Sequence, residues 1–188
     1  MTIIYVLLAI VIIICLILIF CINTNNKFQE DIIRMNEADA SIDAVLRKRF
    51  DLLNKSAEII KKEVNKHVKE DEDTIEVMNT IVQIRSKKLS NFELDSQLYS
   101  AIDELQKYTE EYETLKKNKE FMKIQINLME SESEVVALRK YYNDISKNYN
   151  KLAGFFPSNL VALFKKYKKK QLFEEKEEPK SLLDELKS

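Results

Sequence analysis

Apolar positions follow two different patterns along this chain. Residues 3–22 are twenty consecutive apolar residues without a charge. After Phe28, apolar residues instead recur every three or four positions, which is the spacing of one face of an α-helix. Twenty helical residues cover about 30 Å, the thickness of a bilayer's hydrocarbon core. The first pattern therefore predicts a membrane-spanning helix, and the second predicts a helical domain after it.

The N-terminal span has two interpretations, a retained anchor and a cleaved signal peptide. No basic residue precedes the span, the apolar run is long, and no small-residue cleavage site follows it. These features favour a retained transmembrane anchor over residues 1–25. Lys27, Arg34 and residues 47–49 supply positive charge after the span, so the positive-inside rule predicts a short N-terminus outside and the remainder in the cytoplasm. The expected location is the cell membrane, with a single pass.

Four helical segments are predicted after the span. The first runs from Phe28 to about Lys69, the second covers about 74–89, and the third about 93–116. The fourth runs from Phe121 to Phe156, and its apolar positions have a mean step of about 3.5, as in a coiled-coil seam. Short connections favour antiparallel neighbours within one chain over a homodimeric coiled coil. The predicted fold is all-α: the transmembrane helix continues into an elongated antiparallel up-down-up-down four-helix bundle over residues 26–157.

Composition supports helices and narrows the classes of function. The chain has one glycine, two prolines and no tryptophan among 188 residues, and its net charge is -1. So few helix breakers argue against a sheet-rich fold, and the balanced charge does not favour nucleic-acid binding. Cys15 and Cys21 lie within the span, so they predict neither a disulfide framework nor a metal site. Acidic residues 70–73 are interpreted as a turn and helix start, and no catalytic, metal or cofactor site is predicted.

Four blocks of sequence resemble the LemA family of bacterial membrane proteins. The first is DAVLRKRFDLL at residues 43–53, and the second is NKEFMKIQINLMESE at residues 118–132. The third is RKYYND at residues 139–144 with Tyr149 and Asn150, and the last is FPSNLVA at residues 156–162. The blocks occur in order over about residues 36–164. The resemblance implies a single-pass membrane protein with a helical bundle, and it implies no known catalytic activity.

One position departs from the family pattern. The family usually has a proline after the first block, where this chain has Asn54 and Lys55. The helix kink that such a proline would produce is therefore not expected here.

Polar residues beside the apolar seams form a candidate register-fixing site. Arg139, Asn143 and Asn150 follow one flank of the fourth segment, and Arg47 and Asp51 follow one flank of the first. One hypothesis is a partly buried polar seam that sets helix register. The alternatives are a solvated flank and a face that docks a partner, and the sequence does not choose among them.

The stretch FFPSNLVALFKKYKKK, residues 155–170, is a candidate membrane interface. Gly154 and Pro157 should end the fourth helix, and Ser158 should cap a short amphipathic helix within a basic segment, 158–170. The proposed lipid-facing residues are Phe155, Phe156, Leu160, Phe164, Lys165, Lys166, Lys168, Lys169 and Lys170. The alternative is that the first three of these cap the bundle core while the lysines are merely solvated.

The function predicted from sequence is a membrane-anchored helical scaffold or adaptor without catalysis. Its expected partners are membrane lipids and unidentified proteins, with no nucleic acid, and the oligomeric state is left open. The alternative is a lipid-sensing or membrane-shaping protein that acts through residues 155–170. Residues 171–188 are acidic, and they are interpreted as a disordered tail with a short helix at 181–186, or as a tethered peptide that docks a partner.

Overall fold

The longest element is a helix, α1, that runs from Thr2 to His67 without interruption. The computed structural model describes residues 1–67 and 89–173. Over the described residues, α1 is the one helix that is long and apolar enough to cross a membrane. The prediction that the apolar span continues directly into the helical domain is therefore confirmed. Asn54 and Lys55 lie inside α1, at the place where the sequences that this chain resembles usually have a proline.

The remaining described helices follow from residue 91 onward. They are α2 (Asn91–Glu111), α3 (Glu113–Lys117), α4 (Lys119–Gly154) and α5 (Ser158–Lys165). The described ranges contain no strand, which confirms the all-α fold class. The predicted third segment is divided at Tyr112 into α2 and α3. Except for Leu89, the predicted second segment lies outside the described residues, so the up-down-up-down order stays a prediction.

Polar side chains define where two of these helices begin. Glu93 accepts hydrogen bonds from the Ser90 backbone N–H at 3.0 Å and from its hydroxyl at 2.8 Å, as in a capping box. The bonds to Ser90 lower the pKa of Glu93. Asn118 Oδ1 accepts the backbone N–H groups of Glu120 and Phe121 at 3.0 and 3.2 Å, which satisfies free donors at the start of α4.

The described residues form two compact units. The anchor unit consists of residues 1–38 and 140–173, and the ion-pair unit consists of residues 39–67 and 89–139. The core of the anchor unit contains Phe28, Met35, Tyr142, Ile145, Tyr149, Val161, Ala162 and Phe173. The core of the ion-pair unit contains Ile42, Leu46, Leu53, Ile60, Leu98, Leu105, Leu115, Phe121, Leu128 and Val135. Each unit thus has an apolar core of its own.

Candidate membrane-interface site

The corner between α4 and α5 is built by a serine that binds backward along the chain. The Ser158 hydroxyl lies 2.7 Å from the carbonyl oxygen of Leu152 and 2.9 Å from that of Phe155, so it closes the end of α4. The sequence predicted that this hydroxyl would cap α5, but Pro157 is the N-cap residue and makes no side-chain capping bond. The difference arises because α4 ends with carbonyl acceptors that need a donor.

The apolar side chains of this corner face outward. We define the corner surface as the exposed apolar residues Phe155, Phe156, Leu160, Leu163 and Phe164. Their exposed fractions are 68, 79, 47, 74 and 84%, respectively. The alternative that Phe155, Phe156 and Leu160 cap the core does not hold, since all three are exposed. Val161 and Ala162 are instead the buried apolar residues that attach α5 to the unit.

Five lysines surround the end of α5, and all are exposed: Lys165, Lys166, Lys168, Lys169 and Lys170. Lys166 has a φ of 57°, the left-handed conformation that commonly ends a helix. The backbone N–H of Tyr167 bonds to the Ala162 carbonyl at 2.9 Å, which completes a Schellman motif. This turn directs residues 167–173 back along α4.

Tyr167 attaches the corner to the end of the apolar span. Its hydroxyl accepts a hydrogen bond from Gln29 Nε2 at 2.6 Å and donates one to Asn25 Oδ1 at 3.0 Å. Its ring centroid lies 4.7 Å from that of Phe28. Asn25 follows the last residue of the apolar run, Ile22, by three positions. The exposed corner surface is therefore held beside the point where the apolar run ends.

A buried carboxylate lies in the same unit. Asp31 is 8% exposed, and its Oδ2 atom has no hydrogen-bond partner. Burial raises the pKa of Asp31, and the charge of Glu30 raises it further, while Lys27 and Arg34 act in the opposite direction. Burial also raises the pKa of Tyr149, with smaller contributions from Tyr167 and Asp31. The phenol of Tyr149 is thus neutral at physiological pH.

Arg139, one of the residues predicted for a polar seam, belongs to a buried ionic cluster in the ion-pair unit. Its guanidinium lies 2.5 Å from Asp95 Oδ1 and 3.7 Å from Glu132 Oε1. Arg49 forms an ion pair with Glu132. The four residues are between 2 and 7% exposed, and burial lowers the pKa of Arg49. The cluster joins α1, α2 and α4 with two positive and two negative side chains.

The structure assigns the α1 part of this cluster to a different residue from the predicted ones. Arg47 is exposed and pairs with Asp43 one turn away at 2.7 Å, and Asp51 is exposed. Neither residue takes part in the buried cluster, and Arg49 occupies that place. The sequence carried a signal for it, because Arg49 lies three positions after Leu46 and four before Leu53, on the apolar face of α1.

Asn143 and Asn150, the other two predicted seam residues, bind the chain that follows α5. Asn143 donates to the Phe173 carbonyl at 2.9 Å and accepts the Phe173 N–H at 2.8 Å. Asn150 makes the same two bonds to Lys170, at 2.9 and 2.7 Å. Residues 171–173, which the sequence placed in a disordered tail, are thus ordered against α4, and Phe173 is 4% exposed. Residues 174–188, including the expected helix at 181–186, lie outside the described residues.

Comparison with known proteins agrees with the pattern of sequence blocks. No curated protein sequence matches the chain. The family model described as LemA family matches residues 38–183, which is most of the chain and includes all four resembling blocks. The resemblance is thereby confirmed, and the chain belongs to the LemA family.

Proposed function

We propose that this protein is a non-catalytic, membrane-anchored helical scaffold that rests its corner surface on the lipid surface beside its own anchor. The observation that carries the proposal is the position of the corner surface. Five large apolar side chains are exposed on the unit that contains the apolar span. The Tyr167 bonds to Asn25 and Gln29 hold them beside the end of that span.

The chemistry of the surface fits a lipid interface better than water. Fully burying a leucine or phenylalanine side chain is worth about 1.5–3 kcal/mol, so even partial immersion of five such residues gains several kcal/mol. A lysine near an anionic leaflet adds about 1 kcal/mol. Apolar side chains flanked by lysines at a helix end are the arrangement of interfacial helices.

Lipid sensing is the second candidate function, and it uses the same surface. The five lysines favour it, because their attraction to lipid depends on the charge of the leaflet and on ionic strength. In a scaffold the corner surface contacts lipid permanently and fixes the orientation of the domain. In a sensor it contacts lipid only when the leaflet is sufficiently anionic.

A single tryptophan tests contact with lipid, because the chain has none of its own. Phe164→Trp, in full-length protein reconstituted into bilayers, should show blue-shifted emission and strong quenching by lipids brominated on their acyl chains. Ile126→Trp is the matched control, since Ile126 is also exposed, at 44%, but belongs to the ion-pair unit. Equal quenching of the two tryptophans would remove the proposal.

Charge reversal separates the scaffold from the sensor. In a sensor, changing Lys165, Lys168 and Lys169 together to Glu should abolish the quenching of the Phe164→Trp reporter in anionic bilayers. In a scaffold, the quenching should persist in both anionic and zwitterionic bilayers. The matched control reverses three exposed lysines of the ion-pair unit, Lys55, Lys61 and Lys123. When the lysines are unchanged, quenching of the Phe164→Trp reporter that does not depend on lipid charge favours the scaffold over the sensor.

We also propose that the domain is cytoplasmic, in keeping with the basic residues that follow the span. Glu134→Cys, in a chain whose Cys15 and Cys21 are replaced by alanine, should resist a membrane-impermeant maleimide in intact cells. It should react once the cells are permeabilised. Labelling in intact cells would place the domain outside and remove the cytoplasmic assignment.

A further inference from the structure

The face of α4 that carries Asn143 and Asn150 binds an extended backbone. Each asparagine gives one donor and one acceptor to a single residue of the segment 167–173, as a neighbouring β-strand would. All four bonds go to main-chain atoms. Main-chain bonds of this kind contribute affinity and select the backbone conformation, while side-chain contacts beside them supply specificity.

The spacing of the two asparagines matches the rise of an extended chain. Asn150 follows Asn143 by seven positions, which is about two turns, or about 10.5 Å along a helix. Phe173 follows Lys170 by three positions, which is about 9–10 Å in an extended chain. The two amides therefore bind every third residue of an extended segment that runs antiparallel to α4.

The side chains that contact this surface repeat at the same interval of three. The ring of Tyr167 lies 6.3 Å from that of Tyr149 on α4 and also packs on Phe28 of α1. Lys170 Nζ lies 6.0 Å from the ring centroid of Tyr149, and Phe173 packs edge-on against Tyr142 at 5.2 Å. Lys168, Lys169, Lys170 and Gln171 are exposed and Leu172 is half-buried, so the interval of three is set by the ring contacts and not by burial. The resulting pattern is aromatic-x-x-Lys-x-x-aromatic, with three residues per repeat as in a polyproline II helix.

We propose that this face of α4 is a peptide-binding groove for extended segments of the form aromatic-x-x-Lys-x-x-aromatic, with Asn143 and Asn150 as the backbone clamps. Residues 167–173 are its intramolecular ligand. They are joined to α5 by the left-handed turn at Lys166. Release of the segment gives up the Tyr167 bonds to Asn25 and Gln29 but leaves α5, with the corner surface, attached through Val161 and Ala162. The groove then accepts an equivalent segment of a partner protein.

This inference deepens the scaffold role and rests on it, because it names the chemical class of the partner. The intramolecular ligand competes strongly, since a short tether gives an effective concentration in the millimolar range. The groove of the unmodified chain should therefore bind an added peptide weakly. A change that weakens the intramolecular ligand but preserves the groove should reveal the site.

The test uses the full-length chain in nonionic detergent and a fluorescent peptide with the sequence of residues 165–174, KKYKKKQLFE. Phe173→Ala in the protein should lower the peptide's Kd at least tenfold relative to the unmodified chain. Adding Asn143→Ala and Asn150→Ala should reverse that gain at least tenfold. Asn148→Ala is the matched control, because Asn148 is an exposed asparagine on the same helix, and it should leave the Kd unchanged.

The control peptide carries alanine at the Phe173 position and keeps every lysine, so binding through charge alone would not distinguish the two peptides. Phe173→Leu replaces Phe173→Ala if the alanine chain loses its helical circular dichroism. No tightening with either variant, or tightening that survives removal of both clamps, would overturn the groove. Because the detergent contains no anionic lipid, such a failure leaves the quenching test of the corner surface unaffected.

Discussion

Helix α4 buries polar side chains in both units, but the two regions use different chemistry. In the ion-pair unit, Glu132 and Arg139 of α4 are charged and pair with Arg49 of α1 and Asp95 of α2. In the anchor unit, Asn143 and Asn150 are neutral and bind the main chain of residues 167–173. Charged side chains require specific partners of opposite sign, whereas amides require only a backbone in the right conformation.

The difference indicates which contacts are permanent and which are exchangeable. A buried charge that loses its partner is costly, so the ionic cluster fixes the packing of three helices. An amide that loses a backbone partner loses about 1 kcal/mol of stabilisation per hydrogen bond, because water forms hydrogen bonds with the freed groups. The region that binds an extended segment is thus the one built from neutral groups.

Removing one member of the ionic cluster should have the largest effect. Arg139→Met leaves Asp95 without this cation and Glu132 with Arg49 alone, so the free energy of unfolding should fall by about 3–5 kcal/mol. The measurement is denaturant unfolding in detergent, followed by the fluorescence of an Ile126→Trp reporter in the same unit. Arg47→Met is the control, since this exposed pair should contribute nothing measurable. Equal losses for the two variants would mean that the buried cluster is no different from a surface pair.

Replacing the whole cluster by apolar residues should recover most of that loss. The quadruple variant Arg49→Met, Asp95→Leu, Glu132→Leu and Arg139→Met leaves none of the cluster's charges unpaired. Such replacements are commonly neutral or stabilising by about 1–4 kcal/mol relative to the ion pairs. The same unfolding measurement compares it with Arg139→Met. A quadruple variant less stable than the single one would show that the pairs contribute net stability.

Removing one asparagine clamp should have a smaller and local effect. Asn143→Ala should cost about 1–2 kcal/mol, because it removes the two hydrogen bonds to Phe173, and the cost should fall on the docking of residues 167–173. Hydrogen exchange at the Phe173 amide should accelerate by about tenfold, since 1.4 kcal/mol corresponds to a factor of ten. Exchange should change much less in the ion-pair unit. Uniform acceleration throughout α4 would argue against a separable segment.

The smallest effect should come from exchanging a buried charge for an amide in the anchor unit. The pKa of Asp31 is raised above its ordinary value of 3.8 by burial, so its ionised form destabilises the folded state. Asp31→Asn should therefore be slightly more stable than the unmodified chain at pH 7. The advantage should shrink as pH falls through the raised pKa and vanish below about pH 4, where Asp31 is protonated in both states. Unfolding curves of the two chains between pH 4 and 8, with the Phe164→Trp reporter, measure it, and a constant difference would contradict the assignment.

The corner surface shows what a local sequence pattern can and cannot predict. The sequence correctly located the break after Gly154 and the short helix that follows, because glycine, proline and serine determine backbone conformation locally. It did not distinguish a core cap from an exposed surface for Phe155 and Phe156. Phe156 continues the apolar seam of the fourth predicted segment and Phe155 precedes it, but a seam does not reveal where the helices that cover it end.

The polar residues also show where prediction from a local pattern ends, but for a different reason. Arg139, Asn143 and Asn150 were identified because polar residues interrupt the flank of an apolar stripe. Their partners were not identified, because Asp95 and Phe173 are distant in sequence. Hydrogen bonding between distant residues produces no periodic pattern in the sequence. Arg49 was overlooked in favour of Arg47, since a charged residue on an apolar face is counted as an interruption of the stripe rather than as part of it.

Local patterns in the sequence were enough to predict the helical class, the apolar span, its direct continuation into the helical domain and the family. All four follow from local periodicity or from short motifs, which are formed by residues close together in the sequence. The folded chain was needed to show which polar side chains are buried together, which apolar residues of the corner are exposed, and that residues 167–173 pack back on α4. These depend on contacts between distant parts of the chain, where the free energy comes from burial and pairing rather than from helix propensity.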